Sequence, residues 1–336
     1  MLKDRLLPDL RLYIDKRKLE IFKNKNQDYN IEFLAQGEYN INYIIEADKK
    51  MVLRINTGSQ LEIEDQISYE YKALKFLSSS GVTPKVSYLD NTKSEIPYGL
   101  LLMEFLEGRQ LDYNLDLKRA AWIFSRIHSM DISRENDFIV ESNPLSSRVI
   151  EGKYWLRDIL DRDYLNKEQN YFFKKFISLA EKNLYKEQFF NENRLYVVNN
   201  TEVNSSNFII GDRDYLIDWE KPVISDPTQD ITQFLAPTTT LWKTDIILSD
   251  QQREEFFKEY TTKMDCKFKD IRLRVELYLP YLYLRALTWC AYAYIAYKNS
   301  DKEILNPDTK EKLDIYMDEE FRYSLIGPLG TEWRIL

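Results

Sequence analysis

One histidine and two cysteines are all that this 336-residue chain offers to imidazole or thiol chemistry. A zinc centre and a Ser–His–Asp triad both need more than the single His128 can give. Cys266 and Cys290 stand in no metal-ligand spacing and outline no disulfide framework, which fits a reducing cytoplasm. Positive charge is also short: 47 Lys and Arg face 55 Asp and Glu, for a net charge of −8. General nucleic-acid binding needs a basic surface, so that class is argued against. Long apolar runs are missing too. The amino-terminal MLKDRLLPDLRLYIDKRK has no apolar core of signal-peptide length. Residues 278–297 come closest to a membrane span, but Pro280 and Arg285 interrupt them and Tyr supplies much of their bulk. They read as a buried helix.

What remains is an ordinary globular composition, 44% hydrophobic and 30% charged, on a chain long enough for two lobes and a sizeable core. Residues 1–28 are charged and read as helical. Ile31–Leu34, Asn42–Ala47 and Met51–Ile55 read as strands, the last two joined by the turn Asp48-Lys49-Lys50. A helix follows over Glu62–Ser79, with Gly81 as its cap. Lys85–Leu89 and Tyr98–Glu104 form a second strand pair. From Asp116 onward helical patterns dominate. The expectation is an α+β chain: a small antiparallel β lobe over residues 1–103 and a larger, mostly helical lobe over residues 104–336.

Within the small lobe, Ile63, Ile67, Leu74 and Leu77 mark the buried stripe of the helix, and Glu70 lies on that stripe. A carboxylate facing a core needs a partner, and the strand Met51–Ile55 offers Arg54. An ordinary buried ion pair is the competing reading.

The stretch YVVNNTEVNSSNFIIGDRDYLIDWEKPVISDPTQD, residues 196–230, carries the most chemistry. Phe208–Ile210 and Tyr215–Ile217 are short apolar runs around the turn residues Gly211-Asp212-Arg213-Asp214, so the unit reads as a β-hairpin. Asn207 enters it and Asp218 leaves it, which brings an amide oxygen and a carboxylate to one sheet end. Mg²⁺ prefers oxygen ligands and uses only one or two carboxylates beside substrate phosphates. Taken singly, each residue would pass as a turn cap or a polar strand end.

The stretch resembles the aminoglycoside phosphotransferase and choline kinase families, which share the protein-kinase-like fold. Their pattern is His-Gly-Asp, four residues, Asn, a hairpin, Ile-Asp-Trp/Phe-Glu and Asp-Pro-x-x-Asp. Here it stands as Asn200-Thr201-Glu202, Asn207, Ile217-Asp218-Trp219-Glu220 and Asp226-Pro227-Thr228-Gln229-Asp230. The resemblance implies a bilobal fold and an ATP-dependent kinase, GTP being the other nucleotide, that phosphorylates a hydroxyl of a small molecule. It implies Mg²⁺ on Asn207 and Asp218, and Glu202 as the proton acceptor. Arg54 would bind nucleotide phosphate, oriented by Glu70. Gly37 and Asn40 of the Gly-Glu-x-Asn turn would contact phosphate, and Glu104 and Leu106 would offer backbone groups to adenine. Glu220 and Lys221 come next in line for the acceptor, while Asp226 and Asp230 hold the catalytic loop and start a helix. His128, at the end of its helix, reads as structural.

The departure from the pattern is as specific as the match. Glu differs from Asp by only about 0.4 unit in reference pKa, so acidity is preserved. One added methylene moves the carboxylate by roughly 1 Å, a displacement that can cost about a hundredfold in rate. A nucleotide-binding pseudokinase or interaction module is therefore the alternative, and nucleotide transfer is a third. Residues 236–245 read as a helix-poor loop, either touching substrate or simply packed. The crowd of Tyr and Trp from Tyr278 to Tyr297 reads as core at helical spacing, with an aromatic cage as its competitor.

Overall fold

The computed structural model describes residues 2–37, 39–58, 63–133, 137–160, 162, 164–264, 270–298 and 307–335. Glu38, Glu62 and Cys266, singled out above, lie outside these residues. The chain forms two compact units. The first comprises residues 1–111, 129–138 and 206–222; the second comprises residues 112–128, 139–205 and 223–336.

The first unit opens with two helices, α1 (Leu2–Lys16) and α2 (Lys18–Phe22). Five strands follow: β1 (Asn30–Gln36), β2 (Asn40–Glu46), β3 (Lys50–Asn56), β4 (Val86–Asp90) and β5 (Gly99–Glu104). They make one antiparallel sheet in the order β1-β2-β3-β5-β4. Leu6, Leu10, Tyr13 and Ile14 of α1 recur on one helical face and share a core with Ile41, Tyr43, Ile45, Leu53 and Ile55 of the sheet. Strand side chains alternate between faces. With Leu53 and Ile55 turned to that core, Arg54 is sent to the opposite one.

Helix α3 (Gln66–Leu77) begins at an Asp65 cap, whose carboxylate accepts from Ser68 N at 3.1 Å. It buries Ile67, Glu70, Ala73, Leu74 and Leu77. Gly81, with φ of 76°, ends the short 3₁₀ turn beyond it. A Cβ on Gly99 would lie 2.4 Å from Ile67 Cγ2, so only glycine lets β5 approach α3 this closely. The unit is completed by β6 (Arg109–Gln110), β9 (Phe208–Ile210) and β10 (Asp214–Leu216), in the order β10-β9-β6.

The second unit contains β7 (Ile139–Val140), β8 (Val197–Asn199) and β11 (Val223–Ser225) in a small sheet of order β7-β11-β8. Its helices are α4 (Leu117–His128), α5 (Pro144–Leu156), α6 (Lys167–Lys182), α7 (Glu187–Glu192), α8 (Thr228–Leu235), α9 (Pro237–Lys243), α10 (Asp250–Lys263), α11 (Ile271–Lys298), α12 (Pro307–Met317) and α13 (Glu319–Ile326). Helix α11 is the axis of the core. Tyr278, Tyr281 and Tyr283 are buried in it, Tyr281 Oη donating to Ala180 O of α6 at 3.1 Å, while Trp289, Tyr294 and Tyr297 pack at its margin. These aromatics are thus core, and only Tyr292 is exposed. No helix among the described residues is long and apolar enough to cross a membrane. Residues 236–245 differ from the sequence expectation: Pro237–Lys243 form helix α9. Pro at the first helical position supports that start, and the threonine run that suggested a loop is buried.

Candidate functional site

Two arrangements of polar side chains stand out, one in each unit. In the first unit they converge on Arg54. Its Nη1 donates to Glu70 Oε1 at 2.5 Å and to Asp218 Oδ1 at 3.3 Å, and lies 3.6 Å from Glu220 Oε1. Its Nε donates to Asn42 Oδ1 at 3.1 Å. Arg54 and Glu70 are both buried. Burial pulls the Arg54 guanidinium down, but the carboxylates of Glu70, Asp218 and Glu220 more than reverse this and hold it above its ordinary value. Burial likewise pushes the Glu70 carboxyl up, with Arg54 opposing. Glu70 Oε2 is buried without a hydrogen-bond partner.

Asp218 reaches this cluster because of the hairpin. Asp214, Tyr215 and Leu216 pair with Ile210, Ile209 and Phe208, and Ile217 N donates to Asn207 O at 2.8 Å. Asn207 and Asp218 therefore flank the open end of the same ladder, away from its turn. Beyond it, Trp219 is fully buried and its Nε1 donates to Leu216 O at 2.9 Å. Asp218 has φ of 65°, in the left-handed region. Asp tolerates that region better than most residues.

Glu220 is tied to the sheet from two sides. Its carboxylate accepts from Asn40 Nδ2, and its backbone oxygen accepts from Gln66 Nε2 at 2.5 Å. Asn56 Nδ2 in turn donates to Asn40 Oδ1 at 3.0 Å. Sequence reasoning set Glu220 toward an acceptor and Asn40 toward phosphate; the structure joins the two. It also adds Asn42 and Asn56, which no local pattern marked. The β1–β2 turn closes through Gly37 N donating to Asn40 O at 2.9 Å. Glu104 N donates to Lys85 O at 2.8 Å, within the sheet, and Leu106 follows in the segment leading to β6.

In the second unit the segment Asn200-Thr201-Glu202 leaves β8 and is held by α8. The Asp230 carboxylate accepts from Asn200 N at 2.7 Å and Thr201 N at 2.8 Å. Asn200 Oδ1 accepts from Glu202 N at 3.0 Å. Thr201 has φ of 71°, where a β-branched residue is strained. Glu202 is half-buried. Asp226 stands just ahead of α8, accepting from Thr228 N at 3.1 Å, and its carboxylate pairs with buried Arg274. The helix starts one residue later than its Asp-Pro signal suggested. His128 is buried, with Nδ1 2.8 Å from Tyr260 Oη and Nε2 3.7 Å from Asp230 Oδ2.

Residues 30–137 match the family model described as APH, the phosphotransferase enzyme family. The solved structures extend the likeness along almost the whole chain. A candidate aminoglycoside phosphotransferase of Ralstonia eutropha aligns over 95% of this chain and 97% of its own, with a TM-score of 0.67 and 14% identity. This chain therefore has a kinase-like fold. The same kinase-like fold aligns with spectinomycin phosphotransferase APH(9)-Ia over 95% and 98% of the two chains, at 13% identity and a TM-score of 0.62. An ethanolamine kinase of Plasmodium vivax aligns over 93% and 89%, at 16% identity and a TM-score of 0.60. A search of curated proteins finds no match.

Proposed function

We propose that the chain is an ATP-dependent, Mg²⁺-assisted phosphotransferase acting on a hydroxyl of a small molecule. The observation that carries this reading is the convergence of Glu70, Asp218 and Glu220 on the one guanidinium of Arg54. Three carboxylates against one cation leave a net charge of −2 when all are ionised (three negative, one positive). That is a surplus a divalent ion offsets. Among the described residues no three His, Cys, Asp or Glu side chains are grouped to hold a metal alone. This suits a cation that takes one carboxylate, one amide oxygen and the substrate's own phosphates. Asn207 and Asp218 would hold it. The spectinomycin phosphotransferase structure contains ADP and spectinomycin, which supports nucleotide and small-molecule binding here.

The residues divide the work as follows. Arg54 neutralises phosphate oxygens, and Glu70 keeps its guanidinium aimed. Asn207 and Asp218 would hold Mg²⁺, which when bound would neutralise phosphate charge. Glu202 accepts the hydroxyl proton as the acceptor oxygen bonds to phosphorus and the bond to ADP breaks. Gly37 and Asn40 shape the turn over the phosphates. Glu104 offers its carbonyl to adenine, its N–H being used in the sheet, and Leu106 offers its N–H.

Calorimetry of Mg-ATP binding tests this, with Asp218→Asn as control. The expected result is metal-dependent binding that the control loses. Undetectable binding of both ATP and GTP, with or without Mg²⁺, would sink the proposal in favour of a scaffold working through protein contacts. Glu202→Gln separates the remaining roles: it should leave nucleotide affinity unchanged and abolish transfer.

A further inference from the structure

A cavity of about 680 Å³ opens in the second unit among α8, α9, α10, α11 and α13. That volume lies in the range of small-molecule sites. Its wall is mostly apolar, with Leu241, Phe257, Leu279 and Leu325 among the lining side chains. Ile247 also lines it and is 63% exposed, a large apolar surface left to water. Charged groups sit among these walls in a set that does not balance. Arg253 donates to Asp250 at 2.6 Å. Arg272 binds Glu254 with two prongs, at 2.9 and 2.7 Å. Both cations lining the cavity are thereby committed. Glu276 lines it too, one helical turn beyond Arg272 on α11; the residue is exposed, and its carboxylate has no hydrogen bond or ion pair among the described residues.

We infer that this cavity binds a small organic amine: an apolar body against the α9, α11 and α13 side chains, and a protonated nitrogen at Glu276. The charge lining the cavity sums to −1 (three carboxylates, two guanidiniums), which suits one cation and disfavours an anion. The apolar wall takes much of the body out of water, the main favourable term for such a ligand. A sugar with many hydroxyls would leave those groups unpaired against Leu241 and Leu325. This inference does not depend on the phosphotransfer reading, because it concerns binding without nucleotide.

The test uses the full chain and two probes, 4-phenylbutylamine and its neutral counterpart 4-phenylbutanol, in calorimetric titrations without nucleotide. The amine should bind about fivefold more tightly, the most that a solvent-facing ion pair usually gives. Glu276→Gln should bring the amine down to the affinity of the alcohol. Ile247→Arg, at an exposed position that folding tolerates, should weaken both probes. The inference is overturned if neither probe binds at millimolar concentration, if the preference for amine survives Glu276→Gln, or if Ile247→Arg changes nothing.

Discussion

Arg54 is the residue on which the first unit's polar side chains depend. Removing it leaves Glu70 charged and buried, with Asp218 and Glu220 beside it. Arg54→Met should therefore cost about 3–5 kcal/mol in urea unfolding. Adding Glu70→Leu should recover part of that loss, because an apolar pair of similar volume needs no counter-charge. If the double variant is no more stable than the single one, the pair is not coupled in the way its geometry requires. Thr201 poses the opposite case. Its left-handed backbone is strained for a branched side chain, and the families that the stretch resembles carry glycine there. Thr201→Gly should raise stability by about 0.5–1 kcal/mol, strain relief exceeding the added freedom of the unfolded chain. A lower urea midpoint for this variant would show that the threonine side chain contributes more than its backbone costs.

At the scale of elements, α8 and the 200–202 segment form one device. Asp230 satisfies two consecutive backbone N–H groups, at Asn200 and Thr201, in a fully buried setting. Asp230→Ala should cost about 2–4 kcal/mol, the penalty of two orphaned buried donors. Amide exchange at residues 200 and 201 should accelerate more than in α11, and equal acceleration everywhere would mean only global destabilisation. Much of this element order is legible in the sequence. The hairpin is announced by Gly211-Asp212-Arg213 between apolar triplets, and Glu70 by its place on a leucine and isoleucine stripe. The α9 helix is not, because three threonines in a row carry no apolar period. Nor is the Asn40–Glu220 bond, whose partners stand 180 residues apart. Local patterns report faces and turns; they hold no information on which distant polar side chains meet. The left-handed Thr201 is illegible for the opposite reason, since local preference points away from it.

For the molecule as a whole, the same division between burial and charge sets a pH response. Burial raises the Asp226 carboxyl from 3.8 to about 6, even with Arg274 pulling it down. A raised folded-state value means that the native state binds the proton more tightly than the unfolded chain. This contribution to stability is complete below about pH 4 and is lost as the pH climbs through about 6. Denaturant unfolding between pH 4 and pH 6 should show that decline, and Asp226→Asn should flatten it. A slope unchanged in the variant would assign the decline to other groups.

Helix α1 has a consequence for the order of events during synthesis. Leu6, Leu10 and Ile14 share their core with Leu100 and Leu102, the last strand of the sheet to be made. About 90 residues must be added between the first partner and the last, which takes roughly 5–20 s at ordinary elongation rates. For that interval the helix has nothing complete to lie on, and its apolar face is open to chaperones. A nascent chain paused before β5 should therefore be the form that such helpers hold most firmly.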